Sequence, residues 1–150
     1  MLEPPLVYVI DANVALKLFF EQPGSAHADM LFGRLAIEPR SRFYVPDFFY
    51  AECASAFANY ERVTPYTPKQ ARDDMADLLA LALHVIPTAE LAAEALAIAL
   101  KHQISGYDAF YVALSRRLNV PLVTADEKLV RALAGRPYRI KSLFELSLEA

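Results

Sequence analysis

Short apolar segments alternate with helical segments along this chain, and the alternation constrains its fold more than any other feature of the sequence. Residues 6–10 read LVYVI, a β-branched and aromatic run typical of a strand that is buried on both faces. Further strands are predicted at residues 43–45, 83–86, 122–124 and 138–140. Strands separated by helices join through right-handed crossovers, so the sequence predicts an α/β fold. Its mostly parallel central sheet, of about four or five strands, should carry helices on both faces.

Helices are predicted between these strands from apolar periodicity and from proline, glycine and capping residues. They lie at residues 26–37, 48–62, 69–81, 89–102, 107–118, 128–134 and 142–148. Asp47 is predicted to cap the helix at 48–62, and Ser142 with Glu145 to form a capping box on the last helix.

Length and composition exclude several classes of protein. A chain of 150 residues is close to the usual size of one domain, so we expect residues 1–150 to form a single domain. The longest uncharged stretch of the most apolar region, residues 78–89, is well short of the roughly 20 residues that a membrane-spanning helix needs. Residues 1–5 contain Glu3 and no basic residue, so we expect no signal peptide and a cytoplasmic protein.

Cysteine and histidine are too few for a disulfide scaffold or a Cys/His zinc cluster. Cys53 is the single cysteine and is predicted to act as a small buried hydrophobe. His84, in an apolar run, is predicted to pack inside the protein. Any metal ion bound by this chain should therefore be held by oxygen atoms.

Four acidic residues are predicted to meet at the carboxyl edge of the sheet. Asp11 directly follows the first strand, and Asp126 follows the strand at 122–124. Glu52 lies in the first turns of the helix after the second strand, and Asp108 opens the helix at 107–118. Clustered carboxylates repel and raise one another's pKa unless a cation neutralises them, and an all-oxygen site suits Mg²⁺ or Mn²⁺.

Helix capping is the alternative interpretation of these acids, because carboxylates at helix N-termini are common. Ser105 and Asp108 fit S-x-x-D, Thr124 and Glu127 fit T-x-x-E, and Asp126 could itself cap a helix. Capping does not account for Glu52, which lies inside a helix, nor for the shared edge.

Four motifs around these acids resemble those of PIN-domain ribonucleases, in particular the VapC-like toxins of type II toxin–antitoxin pairs. The motifs are VIDANV, VPDFFYAEC, SGYDAFYVALS and LVTADEKL, and in this order they extend from the first strand to near the last. The resemblance implies a PIN-like nuclease domain and a Mg²⁺- or Mn²⁺-dependent endoribonuclease. It also implies an RNA substrate, a cognate antitoxin protein and a homodimer.

The resemblance also implies roles for individual residues. The metal-binding and catalytic acids correspond to Asp11, Glu52, Asp108 and Asp126. Asn13 and Thr124 match the polar residues that accompany these acids, and they are expected to orient ligands or water.

Basic residues concentrate toward the C-terminal part of a chain whose net charge is -3. Residues 108–141 contain 7 Lys and Arg against 3 Asp and Glu. Arg116 and Lys128 lie near the acidic motifs and are candidates for contact with the RNA backbone. A solvated basic face is the alternative.

A second interface is predicted from aromatic residues on one helix. They cover more than one of its faces, which suggests that some contact a partner. They are Phe48, Phe49, Tyr50, Phe57 and Tyr60.

Other functions remain open on the sequence. Asp11 after the first strand could be the nucleophile of a phosphatase or phosphotransferase, although that chemistry usually needs a second acid where Asn13 stands. A receiver-type signalling domain would need a phosphoacceptor aspartate after a middle strand, and none is convincing. A non-catalytic partner-binding module is disfavoured by the intact set of four acids.

Overall fold

The computed structural model describes residues 4–148. Residues 1–3 and 149–150 lie outside the described part, and with them most of the segment on which the signal-peptide expectation rests. Within residues 4–148, none of the helices combines the length and the apolar character needed to cross a membrane.

Five strands form one sheet in the order β3-β2-β1-β4-β5, and every pairing between neighbours is parallel. The strands are β1 (Val7–Ile10), β2 (Arg42–Pro46), β3 (Leu83–Ile86), β4 (Leu122–Thr124) and β5 (Ile140–Ser142). This confirms the predicted α/β class and the predicted parallel sheet.

Seven α-helices connect or follow the strands of the described residues. They are α1 (Ala12–Ala15), α2 (Ser25–Ile37), α3 (Phe49–Val63), α4 (Pro68–Leu79), α5 (Ala92–His102), α6 (Gly106–Leu118) and α7 (Glu127–Ala132). Short 3₁₀ helices occur at Leu16–Leu18, Thr88–Glu90 and Leu143–Glu145. The short α1 directly after β1 was not predicted.

Strand β1 is the centre of the sheet, with β2 on one side and β4 on the other. Val9 is opposite Tyr44 of β2 and Leu122 of β4. The order of strands along the chain reverses at β1, and in such sheets a crevice opens at the carboxyl ends of the strands on either side of the reversal. The residues after β1 and β4 therefore line this crevice.

Helices cover both faces of the sheet and bury two hydrophobic clusters. Ile10 of β1 packs in the cluster that contains Phe49 and Phe57 of α3. Val9 points the opposite way and packs with Leu114 of α6, because successive side chains of a strand alternate between faces. Both β1 residues are completely buried, which explains the continuous apolar run in the sequence.

The predicted cap at Asp47 is wrong. The N-cap of α3 is Phe48, which makes no side-chain capping hydrogen bond. The Asp47 carboxylate instead accepts a hydrogen bond from the backbone N–H of Thr88, over 3.3 Å. It thus supports the turn after β3 rather than the start of α3.

The predictions for the C-terminal segment are also partly wrong. The last strand begins at Ile140 rather than at Tyr138, whose hydroxyl lies 2.9 Å from Nε2 of His102 outside the sheet. A single 3₁₀ turn, Leu143–Glu145, replaces the predicted helix at 142–148. Ser142 accepts a hydrogen bond from the Phe144 N–H, and its hydroxyl donates to Glu127.

The aromatic residues of α3 do not form an exposed interface. Phe49 and Phe57 lie in the core, and Phe48, Tyr50 and Tyr60 are partly buried. Neighbouring segments cover the second face of α3, and the periodicity of a single helix does not reveal them. The Tyr60 ring, for example, stacks on Phe20 with ring centroids 4.0 Å apart.

His84 is exposed, contrary to the prediction that it packs inside the protein. Strand β3 is an edge strand, so its side chains have neighbouring side chains of the sheet on one side only. The imidazole of His84 lies against the Tyr44 ring, with ring centroids 5.2 Å apart.

Candidate metal centre and active site

Asp11 lies at the carboxyl end of β1, in the crevice between β1 and β4. Its backbone N–H donates to the carbonyl oxygen of Val123 over 3.1 Å, which extends the pairing of the two strands. The side chain is only 5% exposed, and its Oδ2 accepts a hydrogen bond of 2.9 Å from the Thr124 hydroxyl. Asp11 is thus a nearly buried carboxylate held by the end of the neighbouring strand.

Thr124 joins three parts of this site through one hydroxyl group. Besides donating to Asp11, Oγ1 accepts from Nδ2 of Asn13 at 3.3 Å and from the backbone N–H of Asp126 at 3.1 Å. Asn13 Oδ1 in turn accepts from the backbone N–H of Ala125 at 3.0 Å. The two polar residues singled out in the sequence therefore lie beside Asp11 and fix the turn between β4 and Asp126.

This arrangement corrects the T-x-x-E interpretation of Thr124 and Glu127. The Thr124 hydroxyl serves Asp11 and the turn, while Glu127 accepts a hydrogen bond from Ser142. Asp126 is the residue that caps α7, through hydrogen bonds from Lys128 N–H and Leu129 N–H to Oδ1 at 2.9 and 3.3 Å.

Glu52 is half-buried in the first turn of α3 and has a partner that was not predicted. The hydroxyl of Tyr111 donates to its Oε1 over 2.6 Å. Tyr111 is 1% exposed, so the donor of this hydrogen bond is buried while its acceptor is half-buried. The sequence contains a signal for it, because Tyr111 is three residues after Asp108 and such helical residues share a face.

Asp108 lies in the first turn of α6, whose cap is Ser105. The Ser105 hydroxyl oxygen accepts from the backbone N–H of Asp108 over 3.1 Å. This hydrogen bond confirms the predicted S-x-x-D cap, in which the Ser105 side chain caps the backbone of Asp108. The serine satisfies the helix terminus, and the carboxylate of Asp108 remains half-buried close to the other acids.

Burial and mutual repulsion raise the pKa of three of these carboxyl groups. The pKa of Asp11 is raised to about 7, mainly by burial, with the charges of Asp108 and Glu52 adding to it and the Thr124 hydrogen bond opposing it. Burial and Asp108 raise the pKa of Glu52, against the Tyr111 hydrogen bond. Burial and Asp126 raise the pKa of Asp108, with Ser105 opposing. All four predicted acids therefore lie within electrostatic reach of at least one other.

The donor set fits a hard divalent cation such as Mg²⁺ or Mn²⁺, because it offers oxygen ligands whose repulsion a cation would relieve. Among residues 4–148, however, no three His, Cys, Asp or Glu side chains are arranged closely enough to hold an ion. One oxygen of Glu52 is bonded to Tyr111 and one of Asp126 caps α7. For the acids to bind an ion together, their side chains must therefore rotate. The ligands would chiefly be the carboxylate oxygens that these two hydrogen bonds leave available.

A cleft of about 320 Å³ opens beside Glu52. It is lined by Phe48, Ala51, Glu52, Ser55 and Tyr107. Tyr107 precedes Asp108 and is 64% exposed. The acids are thus bordered by a partly apolar depression open to solvent.

The two candidate basic residues differ in position. Lys128 is exposed and only two residues after Asp126. Arg116 is eight residues after Asp108, about 12 Å farther along α6. Its Nε lies 3.7 Å from Oε1 of Glu94, and its guanidinium carbon lies 5.8 Å from the centre of the Tyr138 ring.

Cys53 follows Glu52 and is completely buried, as predicted. Burial raises the pKa of its thiol to about 12, and the charges of Glu52 and Asp11 add to this effect. The thiol is therefore protonated near neutral pH and is unsuited to act as a nucleophile.

Comparison with known proteins gives consistent results. The family model of the PIN domain matches residues 8–134 of this chain. Ribonuclease VapC3 of Pyrobaculum aerophilum is 28% identical over 123 residues, which cover 81% of this chain and 90% of that protein. Ribonuclease VapC1 of Mycobacterium tuberculosis is 50% identical over 42 residues, which cover 28% of this chain and only 31% of that relative.

The fold also occurs in solved structures. A toxin–antitoxin complex from Klebsiella pneumoniae contains a chain that superposes with a TM-score of 0.62 at 18% identity, covering 93% of this chain and 99% of that one. At this identity the likeness concerns the fold. Since the PIN domain match extends from within β1 to just beyond α7, this protein belongs to the PIN domain family.

Proposed function

We propose that this chain is a metal-dependent endoribonuclease and the toxin of a toxin–antitoxin pair. The observation that carries the proposal is the convergence of Asp11, Glu52 and Asp108 at the carboxyl edge of a PIN-domain sheet, where Asp108 and Glu52 add to the raised pKa of Asp11 and Asp108 adds to that of Glu52. Two relatives named VapC ribonucleases, one of them similar over most of both chains, support the same activity.

In this proposal the four carboxylates form the cation site. Asp11 is the central ligand, fixed by Thr124, while Asp108 and Asp126 approach from the first turns of α6 and α7. Bound Mg²⁺ or Mn²⁺ would supply Lewis-acid activation of water and neutralise charge at the scissile phosphodiester. Glu52 has a raised pKa and is suited to accept the proton of the attacking water.

The remaining residues orient the reactants in this scheme. Asn13 and Thr124 keep Asp11 and the backbone before Asp126 in fixed positions. Lys128 borders the site on the Asp126 side and would attract the RNA backbone. A single-stranded segment would pass the cleft next to Glu52, where an exposed aromatic ring, Tyr107, can stack on a base.

An aspartyl nucleophile is the weaker alternative. Asp11 is nearly buried, with one oxygen committed to Thr124. Asn13, where a second acid would be needed, has its side chain bonded to Thr124 and to the Ala125 backbone. These contacts favour a ligand role for Asp11 over attack on phosphorus.

The proposed partners are a cognate antitoxin and a second copy of the chain, in the cytoplasm. The structural neighbour from Klebsiella pneumoniae is a toxin–antitoxin complex, which supports the antitoxin. The aromatic residues of α3 do not support a homodimer, because they are buried or partly buried. Leu96 and Leu100 of α5 support one, since their side chains are 61% and 72% exposed and lie one helical turn apart.

The test is cleavage of single-stranded and structured RNA by the purified protein with Mg²⁺ or Mn²⁺, compared with EDTA. We expect cleavage that requires the metal and is lost in Asp108→Asn. It should persist in the control Asp77→Asn, which removes an exposed acid of α4. Hydrolysis of a generic phosphate monoester that survives EDTA, without RNA cleavage, would favour the aspartyl nucleophile instead.

A further inference from the structure

We propose that Tyr111 is a positioning residue for Glu52. Its hydroxyl holds Oε1 of Glu52, which leaves Oε2 as the oxygen available to act on the other acids' side and on any bound cation. This inference rests on the proposed function, because it assigns a role in the same acidic site. Tyr111 lies in the motif SGYDAFYVALS, but it is not one of the four acids.

Helix α6 carries two residues that act at the site. Asp108 and Tyr111 are three residues apart and share a side of the helix. One helix therefore supplies an acid of the site and also the group that restrains Glu52, which comes from α3. The hydrogen bond links the two helices over 59 positions of sequence.

Tyr111 is fixed in place by its burial. Tyr111 is 1% exposed and lies edge-on to the Phe48 ring, with centroids 5.5 Å apart. The tyrosine ring therefore has little room to turn away. Its hydroxyl bond of 2.6 Å to a carboxylate is of the short, charge-assisted kind.

The consequence concerns the freedom of Glu52. A glutamate side chain has three rotatable bonds, and ordering it when an ion binds costs conformational entropy. A rigid donor that orders the side chain beforehand removes much of that cost. Partners that orient metal ligands in this way typically change metal affinity by about 10- to 100-fold when removed.

A purely structural role is the alternative, in which Glu52 merely satisfies a buried hydroxyl. The two roles differ in a double-mutant cycle. If Tyr111 acts through Glu52, Tyr111→Phe weakens Mn²⁺ binding in the wild-type background and has little further effect in Glu52→Gln. If the role is structural, Tyr111→Phe leaves Mn²⁺ affinity unchanged in both backgrounds and only shifts the melting temperature.

The experiment is calorimetric titration of Mn²⁺ into wild type, Tyr111→Phe, Glu52→Gln and the double variant, with RNA cleavage rates measured in parallel. Tyr60→Phe is the matched control, since it removes the hydroxyl of a partly buried tyrosine of α3. We expect Tyr111→Phe to lose about 10-fold in Mn²⁺ affinity and to lower kcat/KM, while Tyr60→Phe matches wild type.

Equal Mn²⁺ affinity in Tyr111→Phe and Tyr60→Phe, with wild type binding normally, overturns the inference and leaves the proposed function intact. Absence of Mn²⁺ binding and of cleavage in wild type overturns both. If Tyr111→Phe does not fold, a crystal structure of the wild type with Mn²⁺ decides. It should show Oε1 on the Tyr111 hydroxyl and at most Oε2 on the ion; ligation through Oε1, or loss of the tyrosine contact, contradicts the inference.

Discussion

The hydroxyl of Thr124 donates to Oδ2 of Asp11 over 2.9 Å and so ties the end of β4 to the end of β1. Both side chains are buried, Thr124 completely. The hydrogen bond favours the charged form of Asp11 in surroundings that otherwise disfavour it. Thr124 therefore keeps a buried carboxylate closer to the ionised form that a cation requires.

Replacing Thr124 by Val tests this relationship. The substitution preserves the shape of the side chain but removes hydrogen bonds to Asp11, Asn13 and the Asp126 backbone. We expect the free energy of unfolding to fall by about 1–3 kcal/mol, because buried polar groups lose their partner. The pKa of Asp11 should rise further, so that Mn²⁺ binds only at higher pH. Urea unfolding and a pH series of Mn²⁺ titrations measure the two effects.

Thr124→Ser is the control for this experiment, since it keeps the hydroxyl. It should retain the pH dependence of wild type. A Val variant with wild-type Mn²⁺ affinity at every pH would argue that the Thr124 hydroxyl has no influence on Asp11.

Asp11→Asn should make the metal-free protein more stable while abolishing RNA cleavage. The amide removes a charge that is buried near Glu52 and Asp108. At pH 8 without metal we expect the free energy of unfolding to rise by about 1–3 kcal/mol. This is less than the full pKa shift of Asp11 would give, because the site must also accommodate the new amide. Urea unfolding in EDTA measures the gain. A variant that is both inactive and less stable would contradict a repulsive cluster.

The stability of the metal-free protein should depend on pH through Asp11. The pKa of this group is about 7 in the folded protein against 3.8 as a model value, so the folded state binds more protons between these two pH values. The contribution of Asp11 to the free energy of unfolding therefore falls as pH rises from about 4 to about 7. The difference in stability between Asp11→Asn and wild type should grow across that window and then level off. A difference independent of pH would exclude the shifted pKa.

The strands and the acids were predictable because their signals are local. The run LVYVI ends at Asp11, and a strand buried on both faces has few other interpretations. The carboxyl edge of a parallel sheet then brings Asp11 and Asp126 together without any knowledge of side-chain positions.

What could not be predicted depends on contacts between distant segments. The partner of Glu52 is Tyr111, which lies 59 positions away on another helix. The second face of α3 is covered by Phe20 and Tyr66, and neither is identified by the periodicity of α3 itself. Asp47 resembled a helix cap, but a turn after β3 supplied a competing backbone donor.

Lys128 and Arg116 should differ in their effect on RNA binding. Lys128 is exposed beside Asp126, whereas the Arg116 guanidinium lies near Glu94 at the far end of α6. We expect Lys128→Ala to raise KM and to reduce the slope of log affinity against log salt by about 0.7–1, and Arg116→Ala to have a smaller effect. Lys69→Ala, which removes an exposed lysine paired with Asp73, is the control. A larger effect of Arg116→Ala would place the RNA path on the other end of α6.

The central claim is that the acids of this crevice together hold a divalent cation. The most direct measurement is calorimetric titration of Mn²⁺ at pH 8 into wild type, Asp11→Asn, Asp108→Asn and the exposed-acid control Asp77→Asn. We predict saturable binding in wild type and in Asp77→Asn, weakened at least about 10-fold in each of the other two variants. Binding that is unchanged in Asp11→Asn and Asp108→Asn, or absent from wild type, would contradict the claim.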